Sequence, residues 1–82
     1  MPTLLDLGYC RVVVYTNDHR PAHIHAVGPD WEAIFDLHCP QGPAELREAF
    51  KLSPAMLRRL SPAINANLTQ LCDGWETIHG SH

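Results

Sequence analysis

Apolar residues recur along this chain with two different periods, about every second position before residue 40 and every third or fourth after residue 53. The stretch 9–16 is dense in β-branched and aromatic residues and stops at Asn17-Asp18, which predicts a strand followed by a turn. Segments 23–27 and 31–38 flank Gly28-Pro29-Asp30, where proline and aspartate suit the central positions of a type I turn, so a hairpin is predicted. Its register follows from alternation, because a slip of one residue would send every side chain to the opposite face. With Gly28 opposite Trp31, Ile24 and Ala26 share an apolar face with Trp31, Ala33, Phe35 and Leu37. His23, His25, Glu32, Ile34, Asp36 and His38 fall on the other face, with Asp36 directly across from His23. In the first strand, Val12 and Val14 join the apolar side, which sets Arg11, Val13 and Tyr15 beside the histidines and avoids burying Arg11.

The Pro40–Pro43 connector stops the sheet, and good helix formers over 44–51 predict a two-turn helix. Ser53-Pro54 then supplies an N-cap followed by proline at the first helical position. Leu57, Leu60, Ile64, Leu68, Leu71, Trp75 and Ile78 continue at steps of three and four, predicting helix over about 54–79 ended by Gly80. Pro62 keeps this stripe in phase but removes a backbone donor, which predicts either a kink or two abutting helices with Ser61 capping the second. The expected fold is therefore α+β: a three-stranded antiparallel sheet over about 9–38 with C-terminal helices packed on its apolar face.

At 82 residues the chain is sized for one domain, since a shorter core could not be divided in two. A hydrophobic share of 45% with 18% charged residues is ordinary globular usage and excludes disordered and fibrous classes. No apolar run reaches the ~20 residues of a membrane span and the N-terminus lacks a signal-peptide pattern, so a cytoplasmic protein is expected. Cys10, Cys39 and Cys72 are odd in number and lack a Cys-x-x-Cys pair, which predicts free thiols. A net charge of −3 argues against strong non-specific attraction to nucleic acid. Arg47, Lys51, Arg58 and Arg59 offer a local basic patch, or simply a solvated helix face.

Candidate chemistry concentrates between residues 18 and 39, where His19, His23, His25 and His38 sit alongside Asp18, Glu32, Asp36 and Cys39. Imidazole is the commonest metal ligand, and the register brings His23, His25, Asp36 and His38 near one another, so these four are the candidate ligands for a divalent metal such as zinc or manganese. The competing reading makes His23 and His25 polar residues of a solvated sheet face, with Asp36 as a cross-strand partner. A His–Asp pair working in proton transfer without metal is a third option. No nucleophile elbow and no phosphate-binding glycine loop occurs in the sequence. Trp31 and Trp75 fall on core-facing positions and are read as packing residues.

The opening Met1-Pro2-Thr3, the strand Arg11-Val12-Val13-Val14-Tyr15 and above all Asn17-Asp18-His19-Arg20-Pro21-Ala22-His23-Ile24-His25 resemble the bacterial family called domain of unknown function 4160. That family's pattern is approximately N-D-H-x-P-P-H-x-H, and Ala22 stands where a second proline is usual. The resemblance implies a prokaryotic protein often encoded beside another small protein, in arrangements similar to toxin-antitoxin modules. Carried over by position, it singles out Asp18, His19, Pro21, His23 and His25, and with Arg11 and Tyr15 on the same sheet face these form the expected binding surface.

Two functional expectations follow. The leading one is a protein-binding component of a toxin-antitoxin-like or regulatory module whose partner is a small protein encoded nearby. Its rival is a metal-dependent or histidine-based hydrolase or nuclease using the histidine cluster, so enzyme activity stays open. A homodimer is also expected from the small core and the exposed edges of a three-stranded sheet.

Overall fold

The structure is a computed structural model that describes residues 3–80. Among these, five strands form one antiparallel sheet in chain order: β1 (Thr3–Asp6), β2 (Arg11–Val13), β3 (His23–Val27), β4 (Glu32–Asp36) and β5 (Glu45–Phe50). Two helices follow, α1 (Pro54–Ala66) and α2 (Leu68–His79). Met1 and Pro2 of the opening motif lie outside the described residues.

The hairpin forms in the expected register. His23 pairs with Asp36, Ile24 with Phe35 and Ala26 with Ala33, and Gly28 N–H donates to the Trp31 carbonyl to close the turn. A side chain at residue 28 would collide with the Trp31 indole, so that turn requires glycine. Val12 opposite Ala26 places β2 as the alternation requires. Ile24, Ala26, Ala33 and Phe35 are wholly buried together with Leu60, Ile64, Leu71 and Trp75 of the helical stripe. Hydrophobic burial of this kind, at roughly 25 cal/mol per Å², is the main term holding helices to sheet.

The three-stranded expectation is too small at both edges. β1 pairs with β2 through a turn in which Gly8 adopts φ 90° and donates to the Asp6 carboxylate. It also touches α2, where Gln70 donates to the Leu4 carbonyl. At the other edge, the predicted helix 44–51 is strand β5, hydrogen-bonded to β4 along its length with a bulge near Ile34 and Phe35. A helix of only about two turns gains little on its own, whereas pairing satisfies the outer backbone groups of β4. The strand's entry is fixed by Asn65 of α1, whose side chain accepts from Ala44 N–H and donates to the Ala44 carbonyl.

Ser53 caps α1 as predicted, its hydroxyl accepting from Met56 N–H. The helical region divides in two, but at Asn67 and not at Pro62, which is accommodated inside α1, so Ser61 caps nothing. Free thiols are overturned for two of the three cysteines: Cys39, just past β4, is disulfide-bonded to Cys72 of α2, while Cys10 remains free and buried. The two partners are 33 residues apart, a separation to which local cysteine spacing is blind. No described helix is long and apolar enough to cross a membrane.

Candidate metal centre

The loop between β2 and β3 folds back over the polar side of the sheet. Asp18 N–H donates to the Tyr15 carbonyl, and Tyr15 N–H donates to Asp18 Oδ2, a local turn of the kind short acidic side chains favour. This turn carries the Asp18 carboxylate over the two histidines of β3. Asp18 Oδ2 lies 3.4 Å from His23 Nε2 and 3.2 Å from His25 Nε2.

The opposite nitrogen of each ring is also engaged. His23 Nδ1 is 2.9 Å from the Pro21 carbonyl, and His25 Nδ1 is 3.1 Å from Glu32 Oε2. The Pro21 carbonyl can only accept, so His23 Nδ1 donates to it, whereas His25 has a carboxylate oxygen at each ring nitrogen and can donate from either. Each Nε2 faces Asp18, to which it can offer a proton or, when deprotonated, a lone pair to a cation shared with that carboxylate. One ligand atom from each of Asp18, His23 and His25 lies within 4.8 Å of the others, a group of donors that could gather around a metal ion.

The histidines are not solvated, as one reading of the sequence expected. His23 is 5% and His25 9% exposed, and among the described residues no buried side-chain polar atom lacks a hydrogen-bond partner. Tyr15 meets the His25 ring edge-on at 4.6 Å, and Trp75 of α2 stands 5.2 Å from the His23 ring. Burial first, then the carboxylates of Glu32 and Asp18, push the Tyr15 phenol above its ordinary value, so it stays protonated beside the cluster. His79, at the end of α2, donates from Nε2 to the Tyr15 carbonyl and ties this loop to the helix.

Of the four ligands expected from sequence, the structure assembles only His23 and His25. Asp36 does pair with His23 in the ladder, but its Oδ1 receives Arg47 Nε at 3.0 Å and Nη2 at 2.6 Å. His38 has φ 52° and turns to Glu45, 3.0 Å away at the exposed end of the sheet. Asp18, expected on the binding surface, takes the place of both. Glu32 as the partner of His25, and Trp75 and His79 as walls of the site, were missed. Glu32 was within reach of sequence reasoning, since the hairpin register puts it on the His25 face.

His19 is exposed and Pro21 contributes its carbonyl, while Arg11 is an exposed residue of β2 outside the cluster. The four basic residues form no helical patch. Arg47 and Lys51 lie on or just past β5, Arg47 is held charged chiefly by its hydrogen bonds to Asp36, and Arg59 of α1 sits over the Tyr9 ring. A cavity of about 520 Å³ opens against the site, lined by Asp18, His19, Arg20, His23, Asp36 and Arg47 among others.

No curated protein and no solved structure shows significant similarity to the chain. The sequence model of one family does match, over residues 10–76, which takes in β2 to β5 and nearly all of both helices together with the whole Asp18, His23 and His25 cluster. The chain accordingly belongs to the family described as Domain of unknown function (DUF4160).

Proposed function

We propose that this chain is a metal-dependent hydrolase holding one divalent ion, zinc or manganese, on Asp18, His23 and His25. The observation that carries the reading is the convergence of both Nε2 atoms on Asp18 Oδ2, with both Nδ1 atoms engaged by other partners. Two histidines and a carboxylate are an established ligand set for hydrolytic zinc, and three protein ligands leave room for water and substrate. An ion so held acts as a Lewis acid and brings the pKa of a coordinated water toward neutrality. The chain's own contribution is orientation. Glu32 and the Pro21 carbonyl fix the two rings, and outer partners of this type commonly change metal affinity 10–100-fold when removed.

The test is elemental analysis of protein prepared without a histidine tag. Near-stoichiometric metal is expected in the native chain and its loss in Asp18→Asn and His23→Gln. A native protein that stays metal-free after incubation with zinc or manganese overturns the reading.

A second reading, the protein-binding component of a toxin-antitoxin-like or regulatory module, draws its support from β5. All six of its residues are exposed, and among the described residues Leu46 and Phe50 are the large apolar side chains left in solvent. An edge strand of this kind can accept a strand from a partner, either a neighbouring small protein or a second copy. Co-purification with the protein encoded beside it, and light scattering across a concentration series, test the two forms of this reading.

A further inference from the structure

We infer that the cavity beside the Asp18, His23 and His25 cluster is a binding site for a phosphate ester, the substrate class of the hydrolase proposed above, on whose metal site this inference rests. The cavity lining brings Arg20, Arg47 and His19 together with Asp18 and His23 of the cluster. Arg47 is fixed there, because Asp36 Oδ1 receives both its Nε and its Nη2. With Nε and Nη2 on Asp36, the Nη1 side of Arg47 is what remains to meet a phosphate oxygen, and a guanidinium already held in one orientation loses less freedom on binding than a lysine would.

Charge selects among substrates. In the lining, the carboxylates of Asp18 and Asp36 balance the guanidiniums of Arg20 and Arg47. A divalent ion on Asp18, His23 and His25 leaves the lining with an excess of two positive charges, cut to one by Glu32 behind His25, even though the whole chain carries −3. A carboxylic ester or a peptide bond is neutral and would leave that excess unbalanced. A phosphate ester brings one or two negative charges to the same place, and at about 520 Å³ the cavity is within the usual size range of small-ligand sites. Hydrolysis there adds water across the ester bond. The water oxygen joins phosphorus as the P–O bond to the alcohol breaks, one water proton passes to the departing oxygen, and the other stays with the phosphate.

Cobalt-substituted protein tests the inference, since the visible absorption of cobalt reports both the ligand set and anything entering its shell. Inorganic phosphate should change that absorption, and its dissociation constant should rise by about tenfold or more in Arg20→Ala and in Arg47→Gln, the loss expected for one charge-assisted hydrogen bond. Cobalt affinity of each variant should be unchanged, which also certifies that it has folded. A normal cobalt spectrum that phosphate leaves unaltered, or phosphate binding undiminished in both variants, overturns the phosphate site alone. Failure of the native chain to bind cobalt overturns the metal reading beneath it. Phenyl phosphate and diphenyl phosphate then separate the two sources of this chemistry, tighter binding of the first assigning a monoester and of the second a diester, and binding of neither overturns the inference.

Discussion

Ile24 and His25 are neighbours in β3, the first 0% and the second 9% exposed, and they are covered by different chemistry. Ile24 points toward the helices, into a cluster with Phe35, Leu60, Ile64 and Trp75, where contact is non-directional and the stabilisation scales with buried apolar area. His25 points the other way, and its cover is Asp18, Glu32 and Tyr15, each held at a set distance or angle. Such a hydrogen-bonded cluster contributes little net stability, because each bond replaces one to water, but it fixes atoms in place. The helix side of the sheet stores the folding energy, and the loop side stores geometry.

The largest break in this comparison is Phe35→Ala. Phe35 is 0% exposed at the centre of the apolar side, and truncation there should cost about 3–5 kcal/mol in a denaturant titration. A loss below about 1 kcal/mol would mean that the helix side does not carry the stability assigned to it. Next is the link between the two layers. The Cys39–Cys72 bond constrains a loop closed by residues 33 apart, and chain entropy alone assigns it about 3–4 kcal/mol. Titrations with and without reductant measure it, and coincident midpoints would show that the bond adds nothing.

Replacing both His23 and His25 by Gln probes the other side. Were these residues solvated, the cost would stay within about 0.5 kcal/mol. Because they are buried and each ring nitrogen has a partner, the loss should be about 1–3 kcal/mol, smaller than for Phe35→Ala but outside the surface range. Zinc or manganese binding should disappear altogether in the same variant. A double variant as stable as the native chain would separate the cluster from the fold completely.

The contrast also explains what the sequence makes legible. The β3–β4 register could be read because alternation and an even loop admit only one solution, and the helical stripe from Leu57 to Ile78 because its period persists through Pro62. Both are local repeats. What assembles the site is not local: Asp18 reaches the histidines only because its loop folds back, and Asp36, correctly placed opposite His23, is taken by Arg47 from a strand the helix propensity of 44–50 conceals. β1 was missed because four residues carry no period, although Asp6-Leu7-Gly8 is a turn signal. The Cys39–Cys72 bond joins the segment after β4 to α2 across 33 residues, which no spacing rule encodes.

A smaller effect comes from Cys10, at the margin of the apolar side. Burial first, and the Asp6 carboxylate second, raise its thiol above the ordinary value of 9.0, against an opposing pull from Arg59. The fold therefore prefers the protonated thiol. Its contribution is complete below the ordinary value and is lost as pH rises through the raised one. Native protein should lose more stability than Cys10→Ala over that alkaline interval, and Cys10 should alkylate more slowly folded than unfolded. Equal losses would place the thiol in contact with water.

The smallest effect expected on folding is at the outer edge, where neither apolar nor polar burial operates. Phe50 is 64% exposed in β5 and pairs with Glu32 on the side of the sheet that bears the histidines. Phe50→Ser should shift stability by no more than about 0.5 kcal/mol, because little of the ring leaves a packed environment. Lys51 lies 5.5 Å from that ring, and an exposed cation–π contact adds about 0.5–1 kcal/mol at most, most of it offset by solvent. A loss above about 1 kcal/mol would show that the ring supports the fold. With the fold intact, the same variant isolates the role of the edge. If β5 receives a strand from a partner or a second copy, Phe50→Ser should weaken co-purification or self-association while metal content stays at the native level, and unchanged association would remove Phe50 from that surface.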